Sequence, residues 1–227
     1  MSLDGLRVLE VSEGVAGAYA GKLLRDQGAE VKKLATSTRL RRWSAATPDE
    51  PVDGVGPLAS FLDRGKELLS IPGGTPTAEI ADGWADVVAV EGPTTRILDV
   101  STLRPQTTLV RVEPFGAEGP LARVRASEFT LQAWCGLMSG CGTPDTPPLQ
   151  MGILHGQWAT GAVAAMAALA GVRSARTTGT GPTIEVSALE VMAVVLNNYP
   201  SLYREFTGSV SVMSRSGDWP QVVPCQD

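Results

Sequence analysis

Two stretches of this 227-residue chain hold the residue types that bind charged groups or hand them on. The first is the small, flexible turn Ser12-Glu13-Gly14-Val15-Ala16-Gly17-Ala18. Small side chains there let a ligand approach the backbone, and the free N–H groups at the start of a following helix favour an anion. The second is Gly152 to Gly161, which enters an Ala-rich segment and carries His155, the single histidine, and Gln157. No Asp or Glu occurs between Asp145 and Glu185, so that segment brings no carboxylate of its own. His155, on the turn into an apolar helix, reads as a hydrogen-bonded structural residue. Cys135, Cys141 and Cys225 have neither an even number nor metal-ligand spacing, and one histidine completes no ligand set, so no metal is expected.

The elements that must position these residues are legible from period and punctuation. Leu6 to Val11 is a short apolar strand, Tyr19 to Gln27 carries helical periodicity, Gly28 ends that helix, and Ala29 to Leu34 begins a second strand. This is a βαβ unit, and open sheets of that kind place ligands outside the carboxyl end of a strand. Ala85 to Val90 and Leu109 to Val112 read as buried parallel strands, and Thr183 to Val186 as another. Glu128 to Met138, Trp158 to Val172 and Ser187 to Asn197 read as helices, with Phe129, Leu131, Ala133, Leu137 and Met138 available for burial. Arg96-Ile97-Leu98 suffices for a helical turn. Residues 35–57, 173–181 and 200–227 lack a sustained period and read as loops. The expected class is α/β, an open parallel sheet flanked by helices. Gly14, Gly17 and Gly21 do not spell G-x-G-x-x-G, which argues against a dinucleotide site.

Composition narrows the function classes. A hydrophobic content of 43% and a charged content of 19% fit a globular protein, and a net charge of -5 argues against a nucleic-acid surface. Arg39, Arg41 and Arg42 form a compact basic cluster that reads as a solvated loop. Gly152 to Val172 is the nearest approach to a membrane span, but it is dominated by Ala and Gly and holds His155 and Gln157, so a close-packed buried helix is expected. With no basic, apolar leader and no paired cysteines, a reduced cytoplasmic location is expected.

Five motifs, in order, resemble family III CoA-transferases, the carnitine CoA-transferase and acyl-CoA racemase family. They are Leu3-Asp4-Gly5-Leu6-Arg7-Val8-Leu9-Glu10 with Ala16-Gly17 and Gly28-Ala29-Glu30-Val31; Asp63-Arg64-Gly65-Lys66, where the family has Asn first; Phe115-Gly116-Ala117-Glu118-Gly119-Pro120; the loop Gly142 to Pro148; and Thr183 to Ser187, with Pro182 in place of Gln. The resemblance implies a Rossmann-like first domain over 1–199 and a linker, 200–227, toward a second domain. It also implies coenzyme A or acyl-CoA as substrate, a carboxylic acid as co-substrate, and a homo- or hetero-oligomer such as a dimer.

In that family a carboxylate at the start of the central helix attacks the acyl-CoA thioester and is carried through a mixed anhydride and an enzyme-CoA thioester. The resemblance puts Gln157 at that position, and an amide cannot form the anhydride. Ser127-Glu128 stands where the racemase branch has His-Asp. Ala35-Thr36 stands where a basic residue would meet CoA phosphate, and Val90-Glu91-Gly92 where Glu-Asn-Phe would be. The residues left to hold CoA are Val15, Ala16 and Gly17 at the turn, with Arg39, Arg64 and Lys66 as phosphate contacts. The leading expectation is a non-catalytic half of a larger or heteromeric CoA-transferase. The alternatives are an active transferase using another acid, such as Glu128 or Asp145, and an acyl-CoA-binding scaffold.

Overall fold

A computed structural model describes residues 2–12, 14–34, 56–69, 83–92, 103–142, 145–196 and 205–208. Expectations for Arg39 and its neighbours, for the helical turn at Arg96 and for most of 200–227 lie outside the described residues.

Six strands, β1 (Arg7–Val11), β2 (Glu30–Leu34), β3 (Glu67–Leu69), β4 (Val87–Glu91), β5 (Thr108–Glu113) and β6 (Thr183–Ser187), form one sheet in the order β3-β2-β1-β4-β5-β6. Every pair is parallel. Parallel strands need crossovers, and the helices described in them are α1 (Val15–Asp26), α2 (Pro57–Asp63), α3 (Glu128–Trp134) and α4 (His155–Thr178); a short α5 (Ala188–Val191) follows β6. The strand order reverses between β1 and β4, which is the switch point at which such sheets open a crevice.

One face of the sheet buries Val8, Val31, Val87, Val110 and Val112 against Ala16, Ala20 and Leu24 of α1 and Ala164, Ala165 and Ala168 of α4. The opposite face buries Leu9, Val11, Leu34, Val88, Val90 and Leu109. Small residues set the spacing: a methyl group added at Gly161 would lie 2.5 Å from the Ala16 carbonyl oxygen, so α4 passes directly over the first turn of α1.

Several boundaries differ from the sequence reading: α4 starts at His155 rather than Trp158, and of the helix expected over Ser187–Asn197 only Ala188–Val191 is α-helical, with a π-helical turn at Met192–Leu196. The helix α1 starts at Val15, not Tyr19, because Ala16 is buried against α4, Val15 and Ala18 are buried with Leu62 of α2 and the entry of α4, and this tertiary packing extends the helix through the glycines. The helix α4 runs to Thr178, so Arg173 to Thr178 is helical and the chain turns only at Gly179, φ 78°. The expected helix Glu128–Met138 is broken by Gly136, φ 80°, into α3 and a 3₁₀ turn at Leu137–Gly140. Leu131, Leu137 and Met138 are buried as expected, whereas Phe129 and Ala133 face outward.

The polypeptide enters α4 through Ile153 (φ 53°) and Leu154 (φ 58°), two successive non-glycine residues in the left-handed region. Such a conformation costs about 1–2 kcal/mol per residue, most for a β-branched side chain. Ile153 is 78% exposed and contributes little packing in return. Ile153→Gly is therefore expected to raise stability, by up to about 1 kcal/mol, read as a higher urea midpoint. An unchanged or lower midpoint would show that the turn is unstrained.

Candidate functional site

A cleft of about 1290 Å³ opens at the carboxyl ends of β1, β4 and β5. Its walls include Gly14, Val15 and Ala16 after β1, Glu91 and Gly92 at the end of β4, Arg111 and Glu113 on β5, residues 122–128 before and into α3, and Leu154 and Gln157 at the entry of α4. The starts of α1 and α4 thus share one mouth.

Gln157 sits in the first turn of α4, and its Oε1 accepts the Ala16 N–H at 3.3 Å. Its amide is a structural bridge between α4 and α1. Glu91 reaches over from β4, and its Oε2 accepts the Gly17 N–H at 2.7 Å. Gly14 and Gly17 make room for it, since a methyl group at either would collide with the Glu91 carboxyl group. The N–H groups of Ala16 and Gly17 that the sequence suggests for a ligand therefore bond to the protein's own Gln157 and Glu91.

Burial pushes the Glu91 carboxyl up to about 7, with the Gly17 N–H and then the Gly14 N–H pulling the other way. Its folded value lies above the unfolded value of 4.5, so its contribution to stability is fully present below 4.5 and is lost as pH rises through about 7. Wild-type stability is expected to fall between about pH 5 and about pH 8, and to fall less in Glu91→Gln. Parallel urea titrations at the two pH values check this, and equal falls in both proteins would contradict it.

Glu128, the first residue of α3, is the site residue that sequence reading left as one acid among several. It is 7% exposed; its Oε1 accepts the Gly156 N–H at 2.8 Å and the Gln132 amide at 2.8 Å. Among the described residues its Oε2 is buried without a hydrogen-bond partner. A carboxylate from α3 thus caps α4 at the same mouth as Gln157. The signal in the sequence was Ser127-Glu128-Phe129-Thr130, a capping pattern that fixes where α3 begins. Asp145, the other acid considered, is exposed and is not part of the cleft wall. The ring of His155 meets the Gly152 carbonyl at 2.7 Å, a local structural bond.

The phosphate contacts need revision. Lys66 is not at the cleft: its Nζ is fully buried, donating to Glu10 Oε2 at 2.6 Å and to the Ala18 carbonyl at 2.7 Å. The cause is Glu10, a charged residue in the middle of β1 that sequence reading passed over. Its Oε1 also accepts from Ser12 Oγ at 2.6 Å and pairs with Lys33 Nζ at 3.1 Å, and Lys33 meets Asp63 at 2.7 Å. Burial alone would raise the Glu10 carboxyl, but Lys66 and Lys33 outweigh it and hold it below the ordinary range. Arg64 is exposed at the end of α2. Among the described residues no group of His, Cys, Asp and Glu is arranged to hold a metal ion, and no helix is long and apolar enough to cross a membrane.

Comparison with known proteins places the geometry. The family model described as CoA-transferase family III matches residues 3–227. The chain is 30% identical to the succinate-glutarate CoA-transferase of Agrobacterium fabrum over 86% of its own length and 53% of that protein's. It is 26% identical to the succinyl-CoA:D-citramalate CoA-transferase of Chloroflexus aurantiacus, covering 98% of this chain and 57% of that one. The crystal structure of a CAIB/BAIF family protein from Brucella suis superposes with a TM-score of 0.81 at 25% identity, covering 92% of this chain and 58% of that one. The chain therefore spans a little over half the length of the relatives it matches.

Proposed function

Because the chain belongs to CoA-transferase family III, we propose that it supplies the acyl-CoA-holding wall of such an enzyme without supplying the nucleophile. On this reading it is the non-catalytic half of a larger or heteromeric CoA-transferase. The observation that carries it is Gln157: the side chain in the first turn of α4 is an amide, and its oxygen accepts the Ala16 N–H. The amide nitrogen's lone pair is delocalised into the carbonyl, so neither amide atom can take an acyl group and release it again. A carboxylate can do both. The same mouth keeps the start of α1, Gly92 and the arginine-bearing wall, which suit a thioester with a phosphorylated tail.

CoA binds in the cleft, and its acyl group lies at the entrances of α1 and α4. The partner, a fused second domain that has the Asp or a separate active subunit, brings the acid that is acylated, and the substrates are an acyl-CoA and a carboxylic acid. The test combines calorimetry with CoA and an assay for transfer of CoA from an acyl-CoA to a free acid. Binding without turnover is expected from this chain alone. Turnover that survives Gln157→Ala would overturn the reading.

Glu128 favours a second reading, an active transferase. Its carboxylate caps α4 at the same mouth, and one of its oxygens is buried without a hydrogen-bond partner among the described residues. On that reading Glu128→Gln abolishes turnover, and Gln157→Ala leaves it.

A further inference from the structure

The entry to α4 is strained although a glycine stands beside it. Ile153 and Leu154 take up the left-handed region, at φ 53° and 58°, and the adjacent Gly152 does not. Strain of this kind persists only where the surroundings fix it, and it gathers at functional sites. Here the first turn of α4 supplies the fixing. Trp158 holds both carbonyls of the strained pair: its indole Nε1–H donates to the Ile153 oxygen at 2.8 Å, and its backbone N–H donates to the Leu154 oxygen at 3.2 Å. His155 Nδ1 meets the Gly152 oxygen at 2.7 Å, so three successive carbonyls are tied to the helix they lead into. The Trp158 ring is itself held, edge-on to Tyr19 of α1 at 4.7 Å and to Phe61 of α2 at 6.2 Å between centroids. Trp158 is not part of the cleft wall, but Leu154 and Gln157 are, and Leu154 packs on Val15, Ala18 and Leu62.

Resting on the acyl-CoA reading above, we propose that Trp158 is a positioning residue for the acyl group. By holding the left-handed turn from behind, it fixes Leu154 and Gln157 at the mouth of α4, where the acyl group lies. Without the indole bond the turn relaxes toward an unstrained backbone, and Leu154 leaves the wall. The rest of CoA meets other walls of the cleft, so its own affinity does not depend on the turn.

Calorimetry of the full chain with CoA and with butyryl-CoA tests the assignment, the ratio of the two affinities being the readout. The wild type is expected to bind butyryl-CoA about tenfold tighter than CoA. Trp158→Phe keeps an aromatic ring against Tyr19 and Phe61 and removes the indole donor, so it is expected to bring the ratio to within about twofold and leave CoA affinity unchanged. Adding Ile153→Gly is expected to restore most of the ratio, because glycine takes the left-handed conformation without strain. A ratio unmoved by Trp158→Phe, or lost and not restored by Ile153→Gly, would overturn the proposal. So would an equal loss of both ligands, the mark of a residue that only supports the fold. Failure of the wild type to bind CoA at all would overturn the acyl-CoA reading on which the proposal rests.

Discussion

Glu10→Ala is expected to cost about 3–5 kcal/mol of stability, the penalty for stranding a buried charge by deleting its partner. Glu10 is fully buried in β1 and holds Lys66 at 2.6 Å and Lys33 at 3.1 Å, each almost wholly buried. Removing the carboxylate leaves two ammonium groups inside the fold, with Asp63 as the remaining acid, 2.7 Å from Lys33 and 3.7 Å from Lys66. The loss reaches the site, because Lys66 also donates to the Ala18 carbonyl and so ties α1 to the chain before β3. Urea unfolding followed by circular dichroism reads the loss. Adding Lys66→Met is expected to recover part of it, with a coupling of about 1–3 kcal/mol. A loss below about 1 kcal/mol in the single variant would mean that water or other groups replace the carboxylate.

This cluster shows where sequence reading stops. The strand around Val87 was legible because its run is apolar on both faces, the mark of a parallel sheet covered on both sides, and those around Val8 and Val31 because a helix ended by Gly28 separates them. Glu10 and Lys33 interrupt two of those strands with opposite charges, and only the register of β1 on β2, which pairs Glu10 with Lys33, shows that they neutralise each other. Lys66 was assigned to a ligand because it ends the turn Asp63-Arg64-Gly65-Lys66 that resembles the family's, and a burial partner from a distant strand leaves no local trace. The start of α1 was placed late for a related reason: Gly14, Gly17 and Gly21 carry poor helix propensity, and the helix forms there because α4 covers it. The α4 end was placed early because Arg173 to Thr178 is polar, although nothing in it breaks a helix before Gly179. Resemblance marked position 157 as the key residue, but Glu128 could be placed at that mouth only by the fold.

Gln157→Asp is expected to convert a chain that takes no acyl group into one that does. The carboxylate would stand in the first turn of α4, where the helix dipole favours a negative charge, and beside the Ala16 N–H that now bonds to the amide oxygen. Incubated with an acyl-CoA, the variant should accumulate acyl or CoA label on the peptide containing residue 157, while Gln157→Asn should not. An unlabelled Asp variant that still binds CoA would show that position 157 is not where the acyl group is received.

Acylation of an acid in the native chain separates the two readings of this site. The most direct measurement is mass spectrometry of the wild-type protein after incubation with an acyl-CoA and hydroxylamine, which converts an acylated carboxylate into a stable hydroxamate. The prediction is an unmodified chain. A hydroxamate on Glu128, absent in Glu128→Gln, would contradict it and make this domain a catalyst in its own right.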